Sequence, residues 1–395
     1  MAPYDVAVNP GEIAVPLPVD DIETLRRRRS AKWRTYDDDV LPLPVAETDF
    51  GLAPVVRDAL AEAVARSDTG YAVTAPALGE AVAGFADRHW GWQVDPDAVA
   101  GLTDVGVAAV EVLRAVCDPG DAVVVSPPVY PPFFSWVEEV GCRLVEAPLR
   151  QDRDGAWTLD LEALESAFGH RPRAYVLCSP HNPVGRVHDP DELAAVARLA
   201  AEHDVTVIAD EIHAPLVLPG ARFTPFLTVP GGADVGISLV SASKAFNLAG
   251  LKCAAVVTSS DRMRAVTHRL PPDGRWRVGH FGVLATVAAL TDGDEWLAAL
   301  VATLDGRREQ LGALVREQLP GVAWSPPEAT FLAWLDCRAI GSGSGPRDLF
   351  LAKGRVALEP GTSFGTLGDG WVRLNFGTSA DILSEAVARM ATALP

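Results

Sequence analysis

The spacing of apolar residues divides the chain into two regimes. From residue 54 to about 258, segments with helical and strand-like patterns alternate. Residues 53–66 and 78–90 carry apolar side chains three and four apart, which predicts amphipathic helices. Residues 107–116 predict another, stopped by Asp118-Pro119-Gly120-Asp121. Short apolar, β-branched runs then recur at 122–125, 143–146, 174–178, 205–209, 237–241 and 254–258, with helices such as 191–202 between some of them. Runs without polar alternation fit strands covered on both faces. Strands separated by helices fit crossover connections. The pattern predicts an α/β fold of three layers around a mostly parallel central sheet. Beyond residue 280 it changes. A helical stretch at about 281–318 is followed by short strands at 331–335, 356–358 and 372–376, and by a last helix at 381–393. That predicts a smaller α+β domain. The expected division is a large domain at 50–280 and a small one formed by 1–49 together with 281–395.

Composition narrows the classes of function. The 395 residues are 48% hydrophobic and 22% charged, which is ordinary globular usage. Lys and Arg number 34 against 52 Asp and Glu, a net charge of −18, which argues against a protein that coats nucleic acid or an anionic membrane. One local basic pocket for a small anion remains compatible with it. No apolar run reaches the roughly 18 residues of a membrane-crossing helix. The segment from Met1 to Asp21 is proline-rich and acidic rather than basic and then apolar, so a cytoplasmic protein is expected. Five cysteines are scattered singly without metal-ligand spacing, which predicts reduced core thiols, no disulfide framework and no metal site. The only basic cluster, Arg26 to Arg29, reads as a solvated helix end.

In an open parallel sheet, ligands bind at the carboxyl ends of the strands. The residues following the predicted strands therefore matter most. They are Ser126-Pro127-Pro128-Val129-Tyr130, Ser179-Pro180-His181-Asn182-Pro183-Val184-Gly185-Arg186, Asp210-Glu211-Ile212-His213 and Ser241-Ala242-Ser243-Lys244-Ala245-Phe246-Asn247. They offer an aromatic, an amide, a carboxylate and a lysine flanked by serines. Pyridoxal phosphate asks for these types: a lysine amine to carry it, a carboxylate at its pyridine nitrogen, a donor at its phenolic oxygen, an aromatic against its ring and donors for its phosphate. Lys244, Asp210, Asn182, Tyr130 and the pair Ser241/Ser243 supply them. Val105-Gly106, opening a helix, adds main-chain N–H groups suited to a phosphate.

The segment S-A-S-K-A-F-N-L-A-G-L-K-C from Ser241 to Cys253 resembles the lysine motif of fold-type-I pyridoxal-phosphate enzymes of the class I/II aminotransferase superfamily. Its form S-K-x-F-N-L-A-G-L resembles the cystathionine β-lyase branch, the MalY/PatB-like C–S lyases. Further matches in the same order are Lys32-Trp33, Thr69-Gly70-Tyr71, P-P-V-Y-P-P-F at 127–133, S-P-H-N-P-V-G-R at 179–186, D-E-I-H at 210–213 and the tail from Phe364 to Asn375. They span nearly the whole chain.

The resemblance implies roles for individual residues. Lys244 would carry the cofactor and move the proton at Cα, and Asp210 would hold the pyridine nitrogen. Asn182 would bond the phenolic oxygen and the carboxylate side of the substrate, and Tyr130 would stack on the ring. Val105, Gly106, Ser241, Ser243 and Lys252 would hold the phosphate, Lys252 standing where related aminotransferases have arginine. Tyr71 resembles the tyrosine that reaches the phosphate of a neighbouring subunit, which implies a homodimer with shared sites. Arg373 would clamp the substrate α-carboxylate, and Ala46 resembles its main-chain contact. His213 stands where aminotransferases carry a tyrosine that bonds the phenolic oxygen, so it is either a cofactor contact or a structural hydrogen-bonding group.

The implied reaction is β-elimination from a cysteine S-conjugate such as cystathionine, giving a thiol, pyruvate and ammonia. The alternatives are an aminotransferase, a specialised C–S lyase or deaminase acting on a bulky S-conjugate, and a cofactor-binding regulator without turnover. Two departures stand out. The family's L-P-L-W-V-A-D-M-D-F reads L-P-L-P-V-A-E-T-D-F here, with Pro44 for tryptophan and Thr48 for methionine. The phosphate turn carries Asp104, which either faces the phosphate or caps the helix.

Overall fold

The computed structural model describes residues 16–395 apart from 154, 342 and 344, and of Arg275 only the backbone. Most of the proline-rich segment from Met1 to Asp21 thus lies outside the described residues. Seven strands form the central sheet: β1 (Val99–Leu102), β2 (Ala122–Val125), β3 (Arg143–Glu146), β4 (Ala174–Cys178), β5 (Thr206–Asp210), β6 (Gly236–Val240) and β7 (Ala254–Val257), in the spatial order β1-β7-β6-β5-β4-β2-β3. The neighbours from β3 to β6 are parallel. β7 runs antiparallel to both β6 and β1, so the run expected at 254–258 is a strand of reversed direction. Its connection from β6, residues 241–253, contains only a single short helical turn and brings the chain straight back along the sheet. β1 was not expected. Its four residues include Gly101 and lack a β-branched run.

Alternation along the buried strands sends side chains to two cores. Val123, Val125, Val176, Ile208, Ile237, Leu239 and Val256 join one, with helix α1 (Val105–Val116). Val124, Tyr175, Leu177, Val207, Ala209 and Ala255 join the other. Helix α1 begins two residues before its expected start because Asp104 caps it, Oδ1 accepting the Val107 N–H at 2.8 Å. The stretch expected at 281–318 is two helices, α2 (His280–Asp292) and α3 (Asp294–Gln318). The break falls at Gly293, where a Cβ would lie 2.3 Å from the Ala289 carbonyl oxygen and 2.6 Å from the Phe246 ring. A second, antiparallel sheet contains β8 (Ala323–Trp324), β9 (Leu332–Asp336), β10 (Glu359–Pro360) and β11 (Trp371–Asn375), in the order β8-β9-β11-β10. Leu41–Pro42 pairs in parallel with Val356–Ala357 and joins the early chain to the late chain.

The strand order places the cleft. From β2 the chain steps outward to β3, returns past β2 to β4, and then proceeds through β5 to β6. The connections diverge between β2 and β4, which opens a crevice at the carboxyl ends of the strands.

Candidate active site

β1, β2, β4, β5 and β6 all end at this edge, and reversed β7 begins there. After β4, the His181 N–H donates to the Arg186 carbonyl at 2.8 Å, and the His181 ring lies 2.9 Å from the Pro128 carbonyl oxygen. The loop after β4 is thereby tied to the loop after β2. Asn182 in it accepts from Arg373 Nη1 through Oδ1 at 3.0 Å. Arg373, on β11, is buried. Its Nη2 donates to the Pro44 carbonyl at 2.8 Å, its guanidinium sits 5.0 Å over the Phe364 ring, and its buried Nε has no partner.

Asp210 ends β5 and is buried. Its Oδ1 accepts the Ile212 N–H at 3.1 Å, and burial pushes its carboxyl up to about 7 against the pull of Lys244. Lys244 Nζ donates to the Ala46 carbonyl at 3.0 Å. Burial first, and Arg373 second, lower its ammonium to about 8. His213 is buried nearby. Burial, then Lys244 and Arg373, push it down to about 3, so it is neutral, and its Nδ1 has no partner. The Tyr130 ring meets Phe133 and Trp136 edge-on, and burial raises its hydroxyl.

The residues expected at a phosphate meet at the same edge. Val105 and Gly106 open α1. Ser241 Oγ donates to the Cys253 carbonyl at 2.7 Å and accepts the Ser243 N–H at 3.1 Å. Lys252 Nζ reaches Asp104 Oδ2 at 2.9 Å. Asp104 therefore caps the helix with one carboxylate oxygen and holds Lys252 with the other. Tyr71 is not brought into this cluster. It is 81% exposed and packs edge-on against Trp276.

Sequence reasoning missed the group that holds residues 44–49. Asn375 Nδ2 donates to the Val45 and Glu47 carbonyls at 2.7 and 2.6 Å. Asn247 accepts the Thr48 N–H at 3.1 Å and donates to the Thr48 carbonyl at 3.0 Å. Lys32 and Asp49 form a buried ion pair at 2.8 Å, and Trp33 Nε1 donates to Asp49 at 2.9 Å. The signal lay in the quoted motifs: Lys32-Trp33, the asparagine after S-K-A-F, and the one ending R-L-N.

The sequence profile of the family aminotransferase class I and II matches residues 38–390. The chain belongs to this family. Among its class I and II relatives, a Mycobacterium leprae protein provisionally named a cystathionine beta-lyase is 46% identical, over 96% of this chain and 98% of its own. Cystathionine beta-lyase PatB of Bacillus subtilis is 35% identical, over 93% and 97%. The crystal structure of a PLP-bound C-S lyase from Staphylococcus hominis superposes with a TM-score of 0.88 at 25% identity, covering 95% of this chain and 98% of that one. This aminotransferase-family chain thus matches its relatives nearly end to end.

Proposed function

We propose that the chain is a pyridoxal-phosphate-dependent carbon–sulfur β-lyase that cleaves a cysteine S-conjugate of the cystathionine kind. The observation that carries this reading is Lys244, its Nζ held 3.0 Å from the Ala46 carbonyl oxygen and lowered to about 8 in one cleft with Asp210 and Arg373. The names of the similar proteins support it.

The residues present fit the cofactor. His213 Nδ1 and Arg373 Nε are buried polar atoms without a protein partner, as expected where a small polar group completes the site. Lys244 would carry the cofactor and Asp210 its pyridine nitrogen. Asn182 and His213 would meet its phenolic oxygen, and Tyr130 its ring face. Val105 and Gly106 N–H, Ser241, Ser243 and Lys252 would hold its phosphate, with Tyr71 of a second copy. When bound, the cofactor supplies an electron sink for charge developing at Cα.

The chain's own side chains do the rest. Arg373 and Asn182 bind the α-carboxylate, with the main chain at Ala46 alongside. Lys244, displaced by the substrate amine and lowered to about 8, is about one-tenth neutral at pH 7 against almost none for an ordinary lysine, and takes the Cα proton onto Nζ. The C–S bond breaks with its electron pair going to sulfur, which leaves as a thiolate and takes up a proton to become the thiol. The three-carbon remainder hydrolyses to pyruvate and ammonia.

Residues 50–280 form the domain that holds the cofactor, and the grouping 1–49 with 281–395, of which 1–15 lie outside the described residues, forms the smaller one. The pairing of Leu41–Pro42 with Val356–Ala357 supports that grouping. The working form is a cytoplasmic homodimer. The exposed Tyr71, Val73 and Trp276 support a covered face there.

The test is direct. The purified, cofactor-loaded protein given cystathionine should release pyruvate with no keto acid added, and Lys244→Ala should abolish release. Turnover that requires a keto-acid acceptor would make the chain an aminotransferase instead.

A further inference from the structure

The sheet register forces an encounter that strand order alone does not suggest. Leu102 of β1 pairs with Ala254 of antiparallel β7. Two residues beyond that pair, just outside the ladder on each side, stand Asp104 and Lys252. Their charged groups meet at 2.9 Å. The other carboxylate oxygen of Asp104 caps α1 at the Val107 N–H, 2.8 Å away. The carboxylate is thus held at the helix end whose first N–H groups, those of Val105 and Gly106, would hold the cofactor's phosphate.

The lysine stem is fixed as well. Lys252 has φ +64°, and its carbonyl accepts the Gly279 N–H at 3.0 Å. A Cβ on Gly279 or Gly282 would lie 2.4 or 2.3 Å from the Leu251 carbonyl oxygen, so the start of α2 packs directly on the backbone beside Lys252. The ion pair is half exposed, Lys252 at 52% and Asp104 at 36%, and such pairs are individually weak. A phosphate carrying nearly two charges takes the ammonium, but the Asp104 carboxylate remains beside it and offsets the positive helix end. Ser241 adds little compensation, because its hydroxyl donates to the Cys253 carbonyl.

We propose that Asp104 competes with the cofactor's phosphate for Lys252, so that this chain grips the phosphate less tightly than the same cup without the acid. The inference rests on the cofactor reading given above. Asp104 is a positioning residue and touches no reacting atom.

The experiment titrates cofactor-free protein with pyridoxal phosphate and with pyridoxal, which lacks the phosphate, reading Kd from visible absorbance. Asn keeps the helix cap, so Asp104→Asn tests the charge, and circular dichroism checks that the variant folds. Asp104→Asn should tighten pyridoxal phosphate by about three- to tenfold at low salt, shrinking in about 0.5 M salt, and leave pyridoxal unchanged. An unchanged or weakened Kd for pyridoxal phosphate overturns the inference, and so does an equal gain for both aldehydes. Failure of the unaltered protein to bind either aldehyde would overturn the cofactor reading along with it.

Discussion

Arg373 has both terminal nitrogens engaged before any substrate arrives, one on Asn182 and one on the Pro44 carbonyl. It is a prepositioned fork rather than a free charge. Arg373→Lys keeps the charge and loses the fork, and a charge-assisted pair of bonds is worth about 1.5–3 kcal/mol. KM for the amino acid should therefore rise about 10- to 100-fold, which steady-state kinetics of pyruvate release measures. Glu211, next to Asp210, answers to pH through stability. Its buried carboxylate accepts the Phe226 N–H at 2.7 Å and the Ser238 hydroxyl, yet burial pushes it from 4.5 up to about 7. The folded protein then holds the proton more tightly than the unfolded chain. That contribution is full below 4.5 and is lost as pH rises through about 7. Urea denaturation should find cofactor-free protein losing stability between about pH 5 and 8, and Glu211→Gln should flatten that slope.

At the level of elements, residues 44–49 work as a strap. This stretch has no ladder of its own, and its carbonyls are met by side chains from three distant segments, on Lys32, Lys244 and Asn247, Arg373 and Asn375. Asn375 also accepts the Gly377 N–H at 2.7 Å, so its amide serves both ends of the turn. Asn375→Ala leaves the half-buried Val45 carbonyl unmet, at about 1–3 kcal/mol, and leaves the Glu47 carbonyl to Lys32 alone. Hydrogen exchange at 44–49 should accelerate while the central sheet stays protected, and KM should rise because Ala46 and the Pro44 anchor of Arg373 move. Uniform acceleration across the sheet would instead mean that the strap is not an independent unit.

At the scale of the whole molecule, the net charge of −18 opposes association of like copies, while Tyr71, Val73 and Trp276 leave an apolar face exposed. The proposed dimer must bury the second against the first. Light scattering should give twice the 41.9 kDa chain mass. Dissociation should lessen in added salt, which screens the repulsion, and Trp276→Ser should shift the population toward monomer. A monomer at all concentrations would leave Tyr71 without a phosphate to reach.

The sequence by itself determined the buried parallel strands β2, β4, β5 and β6, because uninterrupted β-branched runs have nowhere to go but a covered sheet; β3, expected to be covered as well, is an edge strand and mostly exposed. It also determined which residue types stand at the strand ends: Tyr130, Asn182, Asp210, Lys244. These are local facts, written within a few residues of each strand. Tertiary structure decided what joins residues far apart in the chain: the reversal of β7, the break at Gly293 against Phe246, the grip of Asn375 on a strap more than 300 residues earlier, and the meeting of Lys252 with Asp104. Register between strands and the closeness of two packed surfaces are properties of the folded ensemble of contacts. No local pattern of apolar and polar residues encodes them.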